Sequence, residues 1–272
     1  MLSPEHLYYR QVGAEKVSVV HERGRGIAWR IWPGAHVLLD WLEEKGKDWL
    51  QEPCHCVEIG AGVGLVGVVC AGLGVSRVTL TDLPEELDAL RRSVGSNLAA
   101  VQNRLSVMPL SFGCEEEIAA VVNSVPKNFK LVVLGSELIY WESLFLPIAQ
   151  TLALMLAQPD SVAFIGYRIR VWKTEKRFFT KVLGQCGLQV EVVGQWRALE
   201  TDGASQVSGG EVRYEEEGEW NTRVYKIFKR PQGDVEEKRN FQHDELVENG
   251  PQIAPKKKAP KLGKTERKGR VR

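Results

Sequence analysis

The stretch Glu58-Ile59-Gly60-Ala61-Gly62-Val63-Gly64 is where this sequence is best equipped to do chemistry. It has the form acid-x-Gly-x-Gly-x-Gly, set between an apolar run that ends at Val57 and another that begins at Leu65. Glycines in a strand-to-helix turn let the backbone come close to a ligand, and the helix behind them presents N–H groups with no partner inside the helix. The spacing differs from the phosphate-binding pattern G-x-G-x-x-G. An acid at the strand end suits a cationic ligand group, such as an amino-acid ammonium, so Glu58 is a candidate ligand contact. Asp82 lies 22 residues beyond Gly60, at the end of the next apolar segment. An acid in that place hydrogen-bonds ribose hydroxyls in nucleotide-binding α/β folds. The glycine turn, Glu58 and Asp82 together leave two ligand classes, a dinucleotide or S-adenosylmethionine.

The elements that must hold these residues alternate. Residues 56–60, 77–82, 105–110, 130–135 and 161–167 read as strands. Residues 130–135, Lys-Leu-Val-Val-Leu-Gly, are apolar on both faces, as a central parallel strand should be. Helices fit residues 33–50, 65–73, from Pro84 to about 97, 144–157 and 174–186, the last stopped by Gly187. Repeated strand–helix units imply one parallel sheet with helices on both faces. Two further strands, 188–193 and 223–228, follow each other with no helix between, which implies an antiparallel edge and favours S-adenosylmethionine of the two ligands. The expectation is a single doubly wound, mostly parallel seven-stranded α/β sheet with an antiparallel last strand.

Composition agrees with a globular chain. The 272 residues are 43% hydrophobic and 26% charged, with net charge +1. Residues 255–272 hold nine Lys/Arg and one acid, a local net of +8, so residues 1–254 carry −7. No window approaches the ~18 uninterrupted apolar residues of a membrane span. The first residues lack the basic-then-apolar pattern of a signal peptide. Five cysteines include no C-x-x-C, and Cys54-His55-Cys56 lacks a second ligand pair at metal-binding spacing. The expectation is a reduced, cytoplasmic or nuclear protein without a metal or membrane.

The ordered motifs resemble the seven-β-strand methyltransferases of the methyltransferase family 16 group, which includes many protein lysine methyltransferases. The resemblance covers roughly residues 25–230 and rests on four places: Ile31-Trp32-Pro33-Gly34-Ala35, Glu58 to Gly64 followed by Leu65-Val66-Gly67, Thr79-Leu80-Thr81-Asp82-Leu83-Pro84, and Gly135-Ser136-Glu137-Leu138-Ile139-Tyr140. It implies a Rossmann-like class I fold over residues 1–232 and S-adenosyl-L-methionine as cofactor. It places Trp32 against that cofactor, Gly60, Ala61 and Gly62 beside its methionine part, Asp82 on the ribose and Ser136 near the reacting end. Phe112 stands where the family usually has Trp beside the adenine. Glu137 and Tyr140 would border the target amine; the family more often has Asp at the first of these. The implied activity is methylation of a lysine on a non-histone protein by a monomer.

Alternatives stay open on the residues alone: an RNA or small-molecule methyltransferase, an arginine or histidine protein methyltransferase, or a non-catalytic interaction module. The sequence lacks the N-P-P-Tyr-like motif of base-nitrogen chemistry after residue 135. Trp41 and Trp49 read as packing residues, Trp141 as a residue at the substrate entrance, and Arg168 or Arg170, on the ligand-binding rim at a strand end, as a substrate contact or a surface cap. The acidic segment 200–220 reads as a solvated loop, and residues 233–272 as a disordered basic tail for weak nucleic-acid or transport-receptor contact.

Overall fold

The computed structural model describes residues 7–22, 24–51, 53–198, 214–215 and 222–229. A hairpin comes first: β1 (Leu7–Val12) and β2 (Glu15–Val20) pair antiparallel from Leu7↔Val20 to Val12↔Glu15. Gly13 at φ +56° starts its two-residue turn, the backbone region that glycine enters at little cost. α1 (Pro33–Glu44) follows, with Pro33 in the first turn, where a missing N–H leaves nothing unpaired.

The main sheet then assembles from β3 (Cys54–Glu58), β4 (Arg77–Asp82), β5 (Leu105–Pro109), β6 (Lys130–Ser136), β7 (Val162–Arg168), β8 (Leu188–Ala198), the two-residue β9 (Tyr214–Glu215) and β10 (Thr222–Lys229). Its order is β5-β4-β3-β6-β7-β10-β8-β9. The first five are parallel, and β10 runs antiparallel to both β7 and β8. Seven strands of ordinary length are therefore present, with the last one antiparallel as expected. It inserts between β7 and β8, inside the edge, so the order of the final pair is reversed in space.

Between the strands run α2 (Leu65–Gly72), α3 (Leu87–Gly95), α4 (Ala99–Gln102), α5 (Glu115–Asn123), α6 (Phe145–Met155), α7 (Trp172–Arg177) and α8 (Leu183–Gln185). Strand alternation deals side chains to two cores. Cys54, Cys56, Val132, Leu134 and Phe164 face α1, α2 and the hairpin. Val57, Ile59, Val133, Ala163 and Ile165 face α5 and α6. Both faces of the sheet are covered, which is why its central strands are apolar throughout.

Two differences from the sequence expectation have local causes. The first helix stops at Glu44, because the Lys45 and Gly46 N–H groups both turn back to the Trp41 carbonyl, and a short 3-10 turn at Lys47–Leu50 carries Trp49. Trp41 and Trp49 both pack on Phe164, with ring centroids 4.7 and 5.5 Å away, as the packing reading requires. The last long helix contains a π turn, Phe178–Val182, between α7 and α8. The extra residue in that turn lets consecutive Phe178 and Phe179 both enter the core, and Phe179 stacks on Tyr225 at 3.9 Å. The hairpin, α4 and α5 had no counterpart in the sequence reading. The tail and most of the 200–220 segment lie outside the described residues.

Candidate active site

Strands β3, β4, β6 and β7 end on one edge of the sheet, where ligands bind in open α/β folds. The glycine loop leaves β3 there, and three of its glycines have positive φ: Gly60 +57°, Gly62 +56° and Gly64 +75°. The loop is tied to β4 through the Ala61 N–H to the Thr81 carbonyl at 2.9 Å. It is tied again by the Gly62 N–H, which donates to Asp82 Oδ2 at 2.7 Å. Asp82 Oδ1 accepts the Leu83 N–H at 2.8 Å. Burial pushes the Asp82 carboxyl above its usual range, opposed by these two N–H groups.

Gly60, Ala61, Gly62, Asp82, Phe112 and Ser136 are all half-buried, so each keeps some surface open. A Cβ on Gly60 would stand 3.1 Å from Phe112 Cζ and 2.7 Å from Leu138 Cδ2, which places the Phe112 ring over the loop. A Cβ on Gly62 would stand 2.8 Å from the Ala28 carbonyl oxygen, in the segment leading to Trp32. The result is a glycine-lined backbone cradle with one carboxylate beside it and one aromatic face across it. That carboxylate, that face and that backbone fit an adenosyl ligand: an acceptor for ribose hydroxyls, an apolar plane for a base, and close backbone for an amino-acid moiety. Gly62→Ala is expected to weaken S-adenosylhomocysteine binding about tenfold by calorimetry, because a left-handed alanine costs about 1–2 kcal/mol before the clash with Ala28 is counted. Unchanged affinity would move the ligand away from this loop.

Glu58, expected as a ligand contact, is engaged by the protein itself. It shares a strand face with Cys54 and Cys56, and that face carries α2. Its side chain is 1% exposed, and Oε2 accepts the Gly67 N–H at 2.7 Å. Burial pushes its pKa up to about 8, against the backbone N–H groups of Gly67 and Val66. Glu58 therefore holds the first turn of α2, and through it the loop, from behind the cleft. His55 turns to the opposite face and meets Thr79 Oγ1 at 2.8 Å.

The second half of the site lies where β6 ends. Glu137 is 6% exposed and sits at φ +57°, with its N–H donated to the Gly166 carbonyl. Its Oε1 accepts the Gly34 N–H at the start of α1, at 2.7 Å. Its Oε2 lies 2.7 Å from Arg170 Nη2, close in distance though not aligned as a hydrogen bond. Burial raises the Glu137 carboxyl, and Arg170 and the Gly34 N–H pull it back. Trp32 is half-buried, its indole N–H donated to the Ile27 carbonyl, with the Arg170 guanidinium 5.9 Å from its ring.

Tyr140 goes the other way. It is 41% exposed, beside Trp141 at 57%, with ring centroids 4.9 Å apart. Burial raises its phenol, the Asp82 charge adds to the rise and the Arg170 charge opposes it. The acid-x-x-Tyr motif thus splits: the acid faces inward to Gly34 and Arg170, and the tyrosine faces the opening. Arg170, read from sequence as a substrate contact or a surface cap, instead pairs with Glu137, a partnership the sequence reading missed. Its position just past a strand end was the available signal. Among the described residues no group of three or more metal-ligating side chains gathers.

The chain matches the family described as Lysine methyltransferase over residues 12–185, more than half its length. EEF1A lysine methyltransferase 3 of Xenopus tropicalis is 29% identical over 182 residues, 66% of this chain and 76% of that protein. Protein N-lysine methyltransferase METTL21A of Mus musculus is 36% identical over 159 residues, 58% of this chain and 68% of that protein. Among solved structures, SMU.776 complexed with SAH is similar in fold alone, at a TM-score of 0.50 and 9% identity, covering 84% of this chain and 57% of that one. The family match spans the cradle, Asp82, Glu137 and Tyr140 together, and the chain belongs to the S-adenosylmethionine-dependent lysine methyltransferase family.

Proposed function

We propose that this chain methylates the side-chain amine of a lysine on another, non-histone protein, working as a monomer. The observation that carries the reading is the family match over a cleft that pairs the glycine cradle and Asp82 with an exposed Tyr140–Trp141 aromatic opening. When bound, S-adenosyl-L-methionine supplies a methyl group on an electrophilic sulfonium. Gly60, Ala61 and Gly62 would border its methionine part, Asp82 would accept hydrogen bonds from its ribose hydroxyls, Phe112 would face its base, Ser136 would close the reacting end and Trp32 would lie against it.

The remaining work is positioning. A lysine ammonium has a pKa near ~10.4 and must lose a proton before its nitrogen can attack. An aromatic opening that strips water from the amine lowers that pKa. Tyr140 and Trp141 form such an opening. Glu137 is already charge-paired, so it orients the site instead of taking the proton, which leaves to water. Alignment and desolvation supply the rate, with no covalent enzyme intermediate. Tyr140→Ala is expected to lower transfer tenfold or more, roughly the scale of a lost positioning contact, while S-adenosylhomocysteine affinity stays within about twofold. A parallel loss of affinity would return Tyr140 to the cofactor pocket.

The test is transfer of labelled methyl from S-adenosylmethionine into a lysate lacking the endogenous enzyme, with Glu137→Ala as control. A discrete labelled protein, absent with the control, supports the reading. Label in RNA overturns it in favour of the RNA alternative. EEF1A is the first purified protein to offer, because relatives carry it in their names. We place the chain in the cytoplasm, the nucleus or both, with the basic residues 255–272 as a transport or nucleic-acid contact. Deleting them is expected to reduce any nuclear fraction on imaging; an unchanged distribution removes that role.

A further inference from the structure

We propose that Arg170 is a positioning residue, which acts through Glu137 and Trp32 to set one wall of the cofactor cleft. The inference rests on the proposed cofactor site and adds a residue to it. A carboxylate as buried as Glu137 needs a counter-charge close by. Among the described residues the guanidinium of Arg170 supplies it at 2.7 Å. The carboxylate's other oxygen holds the Gly34 N–H, two residues past Trp32. The same guanidinium lies 5.9 Å from the Trp32 ring, within the range of a cation–π contact. One cation therefore pairs with the acid that anchors the tryptophan segment and lies within cation–π range of the ring of that segment, which Arg30 also faces at 4.7 Å.

Arg170 is itself held in place. Its backbone N–H donates to Glu175 Oε2 at 3.0 Å, and Glu175 is itself a buried residue of α7. Its Nη1 reaches the Arg168 carbonyl at 3.3 Å. The backbone is close-packed where these segments meet: a Cβ on Gly34 would stand 2.7 Å from both Glu137 Oε1 and the Gly166 carbonyl oxygen. A wall packed this tightly has little room to relax, so a change at Arg170 is transmitted to Trp32. A residue that only capped the surface would have no such route.

The experiment is a double-mutant cycle on S-adenosylhomocysteine affinity by calorimetry, with Arg170→Met, Glu137→Gln, both together, and Arg170→Lys. Melting curves establish that each variant is folded at the temperature used. Arg170→Met is expected to weaken binding about tenfold, and Arg170→Lys by less, because it restores the charge without the planar fork. The double variant is expected to bind no more weakly than Arg170→Met alone, because a neutral side chain at position 137 no longer needs the cation. Affinity within about twofold of the unchanged chain for Arg170→Met, or single effects that multiply in the double variant, overturns the proposal. A variant that melts early yet binds normally when folded overturns it too, since that is a purely structural role. If the unchanged chain binds S-adenosylhomocysteine but transfers no methyl, the proposed function fails and the Arg170 cycle still reads out. If it does not bind, both fail.

Discussion

Asp82→Ala is expected to weaken S-adenosylhomocysteine binding about ten- to a hundredfold, the largest loss of any single change in the cleft. The carboxylate works at three points. Oδ2 holds the Gly62 N–H and so fixes the turn of the cradle. Oδ1 holds the Leu83 N–H and fixes the exit from β4. Each oxygen keeps a lone pair for a ribose hydroxyl. Hydrogen bonds to a charged group contribute ~1.5–3 kcal/mol each, so losing the ligand contact alone reaches tenfold and loosening the loop adds to it. Asp82→Asn keeps one acceptor oxygen and should fall between. Calorimetry decides: equal affinity for all three proteins would remove Asp82 from the site.

The second large effect concerns stability. Glu58 has a folded-state pKa of about 8 against an ordinary 4.5, raised by burial. Between those values the folded chain keeps a proton that the unfolded chain gives up. The stability linked to that proton is full below the unfolded pKa and is lost as pH rises through the folded one, with a slope of at most ~1.4 kcal/mol per pH unit. The ligand-free protein should therefore become less stable from mildly acidic to mildly alkaline pH. Glu58→Gln keeps an acceptor for the Gly67 N–H and cannot ionise, so its stability should vary less over the same window. Urea midpoints of the two proteins across that window are the measurement. Parallel pH profiles would mean that Glu58 titrates normally and is not sealed behind α2.

Much of this was legible in the sequence, for physical reasons that differ from residue to residue. The glycine loop and Asp82 were readable because turn chemistry and strand ends are local. Residues 130–135 were readable because a strand covered on both faces must be apolar throughout. The insertion of β10 between β7 and β8 was not, because pairing between distant strands leaves no local mark. The hairpin did leave one, Gly13 between two runs of alternating residues, and it went unread. The hold of Glu58 on α2 was not read, although period-two alternation puts it on the face of Cys54 and Cys56. Its type suggested a ligand contact; the pleat turns it to the face of α2, where it holds the Gly67 N–H. The Glu137–Arg170 pair joins residues at the ends of two neighbouring parallel strands, and the left-handed backbone at Glu137 that turns its carboxylate inward is visible only in three dimensions.

One measurement bears most directly on the central claim, that this cleft delivers a methyl group to a lysine nitrogen of a protein. Protein labelled from methyl-labelled S-adenosylmethionine by the unchanged chain is hydrolysed to amino acids, and the products are separated against methylated standards. The account expects the label in N-methylated lysine, lost when Tyr140→Ala replaces the unchanged chain. Label in methylarginine or methylhistidine, or no label in any amino acid while S-adenosylmethionine is bound, would contradict it.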